Sequence, residues 1–267
     1  MTHTMQTVTA QLPDHRHSDD RVFLTDNAVI VMDGASAFLP VAVPVTAYVD
    51  TLGSHLLQGL RADPEGELPD LLRAAIAHTA KALDLKPRHS PSSTVAMARV
   101  SPEAVDLLVL GDSQVATPER IMRDDRLAQI APDQRKAYRT RLAAGRGYDD
   151  THRALLRDLQ AEQVRHRNVD GGYWIAEADP DAADHALTSR LMRFETPWLV
   201  LATDGAYKPM EHLGLDDWTA LAVGSPEQLS AVLATCEDWE ERQDPTGIGL
   251  VRAKRHDDKA LATMRPG

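Results

Sequence analysis

Residues 29–34 read VIVMDG, residues 107–113 read LLVLGDS and residues 199–205 read LVLATDG. In each stretch a continuous apolar run stops at an acidic residue beside a glycine: Asp33, Asp112 and Asp204. Apolar runs without polar alternation belong to strands buried on both faces. Neighbouring strands lie only ~4.8 Å apart, so their ends can gather in one place. Two acidic pairs extend the pattern. Asp19-Asp20 precedes the run VFL, and Asp257-Asp258 precedes ALATM. Carboxylates collected at the ends of buried strands cannot all ionise unless something neutralises them. A divalent cation is the simple answer. An oxygen-only donor set points to Mg²⁺ or Mn²⁺ rather than Zn²⁺. One Asp-Gly alone is a common turn dipeptide. The joint occurrence of these acidic sites at strand boundaries carries the reading.

Around these stretches the chain reads as strands, two helices, many strands, helices and two closing strands. A first strand is expected over 4–11, and a hairpin turns at Thr25-Asp26-Asn27. Helical spacing of apolar residues marks 42–60 and 69–83. Strands follow over 93–100 and 104–110, and a short one near 114–117. Residues 119–168 are charge-rich and Arg-rich and read as an excursion from the core, a flap or lid, with a solvated helical pair as the alternative. Strands return over 170–176, 187–193 and 197–203, helices over 215–223 and 226–240. GIGLVRAKR and KALATMR are expected to close the chain as a hairpin around His256-Asp257-Asp258. Adjacent strands with grouped helices favour an α+β fold over alternating βαβ units.

Composition bounds the function. The 267 residues carry 29 Lys plus Arg against 40 Asp plus Glu, a formal charge of −11. Such a surface repels phosphate backbones, so sequence-independent nucleic-acid binding is disfavoured. The single cysteine, Cys236, excludes an intramolecular disulfide and a cysteine zinc cluster. No run approaches the ~20 apolar residues of a membrane span, and MTHTMQTVTAQLPDH lacks the pattern of a signal peptide. The expectation is a cytoplasmic protein. There is no P-loop and no G-x-S-x-G elbow around Ser36, Ser93 or Ser113, which disfavours a P-loop kinase or ATPase and a serine hydrolase.

In order along the chain, the short motifs are SDDR (Asp19-Asp20), VIVMDGAS (Asp33-Gly34), SSTVAMARV (Ser93-Thr94), Gly111-Asp112-Ser113, Thr203-Asp204-Gly205 and Asp257-Asp258. This series resembles the metal-dependent protein phosphatases of the PP2C (PPM) family, over about residues 5–265. The resemblance implies one PP2C-like domain over 1–267: two antiparallel sheets face to face, flanked by helices in a four-layer α-β-β-α sandwich. It implies two Mg²⁺ or Mn²⁺ ions, with Asp33 bridging both, the Gly34 carbonyl on one, Asp204 and Asp257 on the other, and Asp20 acting through metal-bound water. Asp33, Asp204 and Asp257 would form the catalytic set. Asp112 matches the position that helps hold a third, weaker metal, and Asp19 and Asp258 stand beside the ligands. The implied activity is hydrolysis of phosphoserine and phosphothreonine in proteins by direct attack of metal-bound hydroxide, without a phosphoenzyme.

The chain departs from the family pattern in three places, the first being that the charge-rich 119–168 excursion, where the family inserts its variable flap, begins sooner after Gly111-Asp112-Ser113 than expected. Ala35-Ser36-Ala37 stands where many members have His-Gly-Gly or Met-Gly-Gly. The arginine that commonly meets the substrate phosphate is matched only by Arg16, displaced by about one position, with His15 or His17 as substitutes. Two other readings remain open: a non-catalytic signalling module that binds a partner, and a hydrolase of small phosphoesters. His3, His15 and His17 otherwise read as solvated polar residues, His185 and His256 as surface or capping groups, Cys236 as core, and Tyr173 and Trp174 as core or cleft rim.

Overall fold

The computed structural model describes residues 5–267; His3 lies outside them. Ten strands form two five-stranded sheets in which every pairing is antiparallel. One sheet runs β2 (Arg21–Leu24), β3 (Ala28–Met32), β4 (Val95–Val100), β5 (Ala104–Leu110) and β8 (Leu187–Met192). The other runs β1 (Gln6–Leu12), β10 (Lys259–Arg265), β9 (Leu199–Ala202), β6 (Gln114–Ala116) and β7 (Ile121–Arg123).

The unbroken apolar runs are explained by alternation between two cores. In β3, Val29 and Val31 face the opposite sheet, where they meet Leu199, Leu201, Ala260 and Ala262. Ile30 and Met32 face the other way, into helices α1 (Val45–Ala62) and α2 (Leu68–Ala82), among Leu52, Leu56, Leu72 and Ile76. On the second sheet, Val200, Ala202 and Leu261 pack under α5 (Asp204–Leu213), α6 (Trp218–Ala222) and α7 (Pro226–Arg242), with Leu229, Leu233 and Cys236. Both faces of each central strand are therefore apolar by necessity. The layers are helices, sheet, sheet and helices, the α+β sandwich expected from the sequence.

Four local readings are corrected. The excursion does not begin at 119, because residues 121–123 form β7 and pair with β6. Helices α3 (Pro132–Ala143) and α4 (Asp150–Arg165) then pack on each other with their own core of Tyr138, Leu142, Leu156 and Leu159. Residues 170–176 are not a strand. Asn168 closes this segment with its side chain, bonding both the N–H and the carbonyl of Ile175, and the segment makes only isolated bridges, Ala176 to Ser93 and Tyr173 to Arg167. The final hairpin is absent, and β10 pairs instead with β1 and β9. Residues 247–255 are folded by Asp244, whose buried carboxylate accepts from the N–H groups of Gly249 and Leu250 and from Arg252 at 2.8, 3.1 and 2.6 Å. Those bonds replace a strand ladder. Finally, a helix not foreseen, α5, starts at Asp204 itself; Pro209 within it gives up one backbone hydrogen bond.

Gly53 lies mid-helix in α1, where a Cβ would come within 2.1 Å of the Phe23 ring. Gly→Ala in a helix interior ordinarily gains up to ~1 kcal/mol. Here Gly53→Ala is expected to lose about 1–3 kcal/mol by overpacking. Urea unfolding of Gly53→Ala, beside Phe23→Ala and the double variant, checks this: in the Phe23→Ala background the glycine change should become favourable.

Candidate metal centre

Antiparallel register alone gathers the acidic residues. Arg21 pairs with Met32, which sets Asp20 beside Asp33. Val31 pairs with Ala96, and Val95 with Leu110, which brings Asp33 across from Thr94 and Thr94 beside the Gly111-Asp112 turn. In the other sheet Leu261 and Gln114 both pair with Ala202, so Asp204 lies between the 257–258 segment and Asp112. The two groups meet across the sandwich. Asp258 Oδ2 accepts from the N–H of Asp19 at 2.5 Å. Asp20 feels the charges of Asp257, Asp258 and Asp204.

Backbone and hydroxyl groups fix these ends. The Asp33 carbonyl accepts from the Thr94 N–H and the Ser93 hydroxyl, both at 2.9 Å, while its N–H donates to Thr94 Oγ1 at 3.1 Å. Thr203 Oγ1 accepts from the Ala260 N–H at 2.9 Å, tying the end of β9 to the start of β10. The glycines of the two Asp-Gly pairs serve close approach rather than a turn. A Cβ on Gly34 would stand 2.7 Å from the Asp19 carbonyl, and one on Gly205 would stand 2.0 Å from that of Asp258. Any larger residue would push the acidic segments apart.

The electrostatics are those of crowded like charges. Burial pushes the Asp20 carboxyl well above its usual range, with Asp257, Asp258 and Asp204 adding to it against a hydrogen bond from Thr203. Burial, then Asp20, Asp204, Asp257 and Asp112, does the same to Asp33. Asp112 is raised to about 6 by burial and Asp204, against the pull of Lys208. Asp19 is raised by burial and by Asp258. Asp204 is the exception: burial raises it, but the Lys208 ammonium at 2.5 Å and a hydrogen bond with Asp33 bring it below the ordinary value. Asp20 Oδ2 is fully buried and has no hydrogen-bond partner. An orphaned carboxylate oxygen among raised carboxyls, with oxygen donors alone around it, fits a hard divalent cation.

Several participants were not read from the sequence. Lys208 and Lys254 enter the acidic group, Lys254 pairing with Asp257 Oδ1 at 2.6 Å. The Asp-to-Lys spacing of four on a helix was the available signal for Lys208. Gln160 of α4 clamps the departing loop after Gly34: its amide donates to the Ser36 carbonyl and accepts from the Leu39 N–H, both at 2.7 Å. His152, also on α4, holds the Ala253 carbonyl at 2.8 Å, one residue before Lys254. Arg16 and His15 are exposed. Among the described residues neither side chain bonds to the acidic group. His256, read as a surface or capping group, is half-buried against Glu240 and Glu237 at 3.2 and 3.4 Å. Those three offer ligand atoms within 4.8 Å of one another, and the buried Lys259 ammonium already bonds both glutamates, at 2.8 and 2.9 Å. His185 stacks on the buried Trp174, ring centroids 3.3 Å apart.

No protein-family model matches the chain, and no curated protein matches it by sequence. Solved structures do. The catalytic domain of serine threonine protein phosphatase PstP, in complex with 2 manganese ions, is similar with a TM-score of 0.52 at 12% identity, over 98% of each chain. The photosystem II phosphatase PBCP is similar with a TM-score of 0.58 at 13% identity, again over 98% of each. Serine/threonine phosphatase Stp1 from Staphylococcus aureus is similar with a TM-score of 0.54 at 12% identity, over 98% of this chain and 94% of that one. The chain thus has the fold of the PP2C (PPM) phosphatases. No helix among the described residues is long and apolar enough to cross a membrane.

The raised carboxyls make a prediction for the metal-free protein. Between pH ~4 and their raised values, Asp20, Asp33 and Asp112 keep protons in the folded chain that the unfolded chain has released. Folded-state stability then falls as pH rises through that window, which for Asp112 is centred below about 6. The lowered Asp204 and Asp244 give the opposite slope only under pH ~4. In EDTA, the thermal midpoint at pH 5 should exceed that at pH 7.5 by about 3–6 °C. A flat profile would contradict the clustering.

Proposed function

We propose that this chain is a metal-dependent phosphatase that hydrolyses phosphoserine and phosphothreonine in proteins. The observation that carries the proposal is the convergence of Asp20, Asp33, Asp204 and Asp257 at one end of the sandwich with a buried, unpartnered carboxylate oxygen among them. The fold supports it, since the structures it resembles are protein phosphatases. In this reading Asp33, the Gly34 carbonyl, Asp204 and Asp257 hold two Mg²⁺ or Mn²⁺ ions, and Asp20 acts through water. When bound, such ions offset the charge of a phosphate ester and lower the pKa of a water so that hydroxide exists near neutral pH.

The chain's own residues do the rest. Asp33 is held by Ser93 and Thr94, so its carboxylate is aimed from a rigid strand end. Asp19 and Asp258 bond to each other across the two sheets and fix the spacing of the ligand segments. In this reading Arg16 and His15, exposed on the loop ahead of Asp20, would meet the substrate phosphate. The side-chain nucleophiles near the site are already engaged: Ser93 Oγ donates to the Asp33 carbonyl at 2.9 Å, and the Ser113 and Thr94 hydroxyls bond each other at 2.6 Å. Cys236 is buried, and its thiol is pushed up to about 11 by burial. In this reading hydrolysis proceeds by water, without a phosphoenzyme.

The alternative of a non-catalytic module draws on Lys208 and Lys254, which already pair with Asp204 and Asp257. Hydrolysis of para-nitrophenyl phosphate and of a phosphothreonine peptide, with Mn²⁺, Mg²⁺ or EDTA, decides between them. Turnover is expected with metal only, falling at least ~100-fold in Asp33→Ala, by analogy with loss of a charge-stabilising group. Turnover that survives EDTA or Asp33→Ala would overturn the proposal. Activity on the small ester alone would assign the chain to small phosphoesters, and binding of no metal would favour the non-catalytic module.

A further inference from the structure

Lys208 is about half exposed, yet its ammonium is held among carboxylates. It stands four residues after Asp204 on α5, so one turn of helix delivers its side chain over the Asp204 carboxylate. Its Nζ lies 2.5 Å from Asp204 Oδ2 and 3.9 Å from Asp112 Oδ2, between carboxylates that come from two different strand ends. The same helix steadies the far side of this notch, because the Tyr207 hydroxyl donates to the Asp112 carbonyl at 3.1 Å. The Tyr207 ring lies beside the ammonium, 5.9 Å from centroid to Nζ, with the Arg123 guanidinium 4.8 Å from the same centroid. Arg123 itself pairs with Asp125 and Glu211 at 3.1 and 3.3 Å, whereas Lys208 reaches Asp112. Lys254 differs: it comes from an irregular segment and pairs with Asp257 alone among the carboxylates.

Resting on the metal-centre reading above, we propose that the Lys208 ammonium is a built-in cation that fills the notch between Asp112 and Asp204. The centre then takes divalent ions only among Asp20, Asp33, Asp204 and Asp257, and Asp112 holds none. An ammonium offers three N–H donors and one positive charge, enough to satisfy facing carboxylates without a coordinated water. A divalent ion entering the notch would have to displace it. Lys208 is in this sense a positioning residue. It sets how many ions the centre holds and fixes the orientation of Asp204 toward Asp33.

Counting bound ions tests this without reference to activity. The full-length chain is dialysed to equilibrium against Mn²⁺ alone, and manganese per folded chain is measured. The wild type is expected to saturate at two ions, and Lys208→Met at one more. That extra ion should vanish in Lys208→Met combined with Asp112→Asn, and Lys208→Arg should stay at the wild-type count. If the wild type binds three ions, or if Lys208→Met binds no more than the wild type, the proposal is overturned while the metal centre stands. If no Mn²⁺ binds, or if Asp33→Asn leaves the count unchanged, the metal-centre reading itself fails. Circular dichroism monitors folding, and should Lys208→Met not fold, Lys208→Gln is counted in its place on the same terms.

Discussion

Like charges are brought together here by hydrogen-bond register, and most of the local structure answers to that. Antiparallel pairing puts the end of one strand beside the start of the next, so segments distant in sequence deliver Asp20, Asp33, Asp112, Asp204 and Asp257 to one end of the sandwich. Their mutual repulsion and desolvation oppose folding. The structure offsets part of this with two lysines. The sheets must supply the remainder, and their doubly buried strands explain how. Val29, Val31, Leu199 and Leu201 lie in the inter-sheet core, and Ile30, Met32 and Val200 in the flanking ones, all at zero exposure. A scaffold anchored on both faces can hold an unfavourable charge cluster in place.

What the sequence made legible follows the same division. The strand ends with their acidic residues could be read because uninterrupted apolar runs have one physical use in a chain of this size, a strand covered on both sides. The four-layer sandwich came from the resemblance that those runs and motifs carry together. Segments stabilised by side-chain bonds to backbone were misread. Residues 247–255 look like a strand in composition, yet Asp244 and Arg252 bend them into turns, and no periodicity encodes that pairing. Residues 170–176 failed for the same reason, with Asn168 as the organising side chain. Helix α5 was hidden by Pro209, and with it the turn spacing that links Asp204 to Lys208.

The site divides similarly. The carboxylates could be named from the sequence because each stands at a strand boundary. The residues that act on them from other elements could not. Gln160 and the loop it clamps are more than a hundred residues apart, and nothing in either segment signals the other. The altered Ala35-Ser36-Ala37 loop also gains an explanation. A segment held at the Ser36 carbonyl and the Leu39 N–H by an amide from a helix is ordered by that helix rather than by glycines of its own.

Helix α4 touches the centre at two points: through Gln160 to the loop that follows Asp33-Gly34, and through His152 to the segment that precedes Asp257. It works as a tie-rod between the beginning and the end of the chain. The region from 124 to 168 therefore cannot be treated as an interchangeable cassette. A segment of equal length borrowed from another protein of this fold would bring its own surface but not these two attachments, and both ligand loops would lose a support. For this chain, diversification of the outer helices is bound to the centre beneath them, and any exchange has to carry both contact points with it.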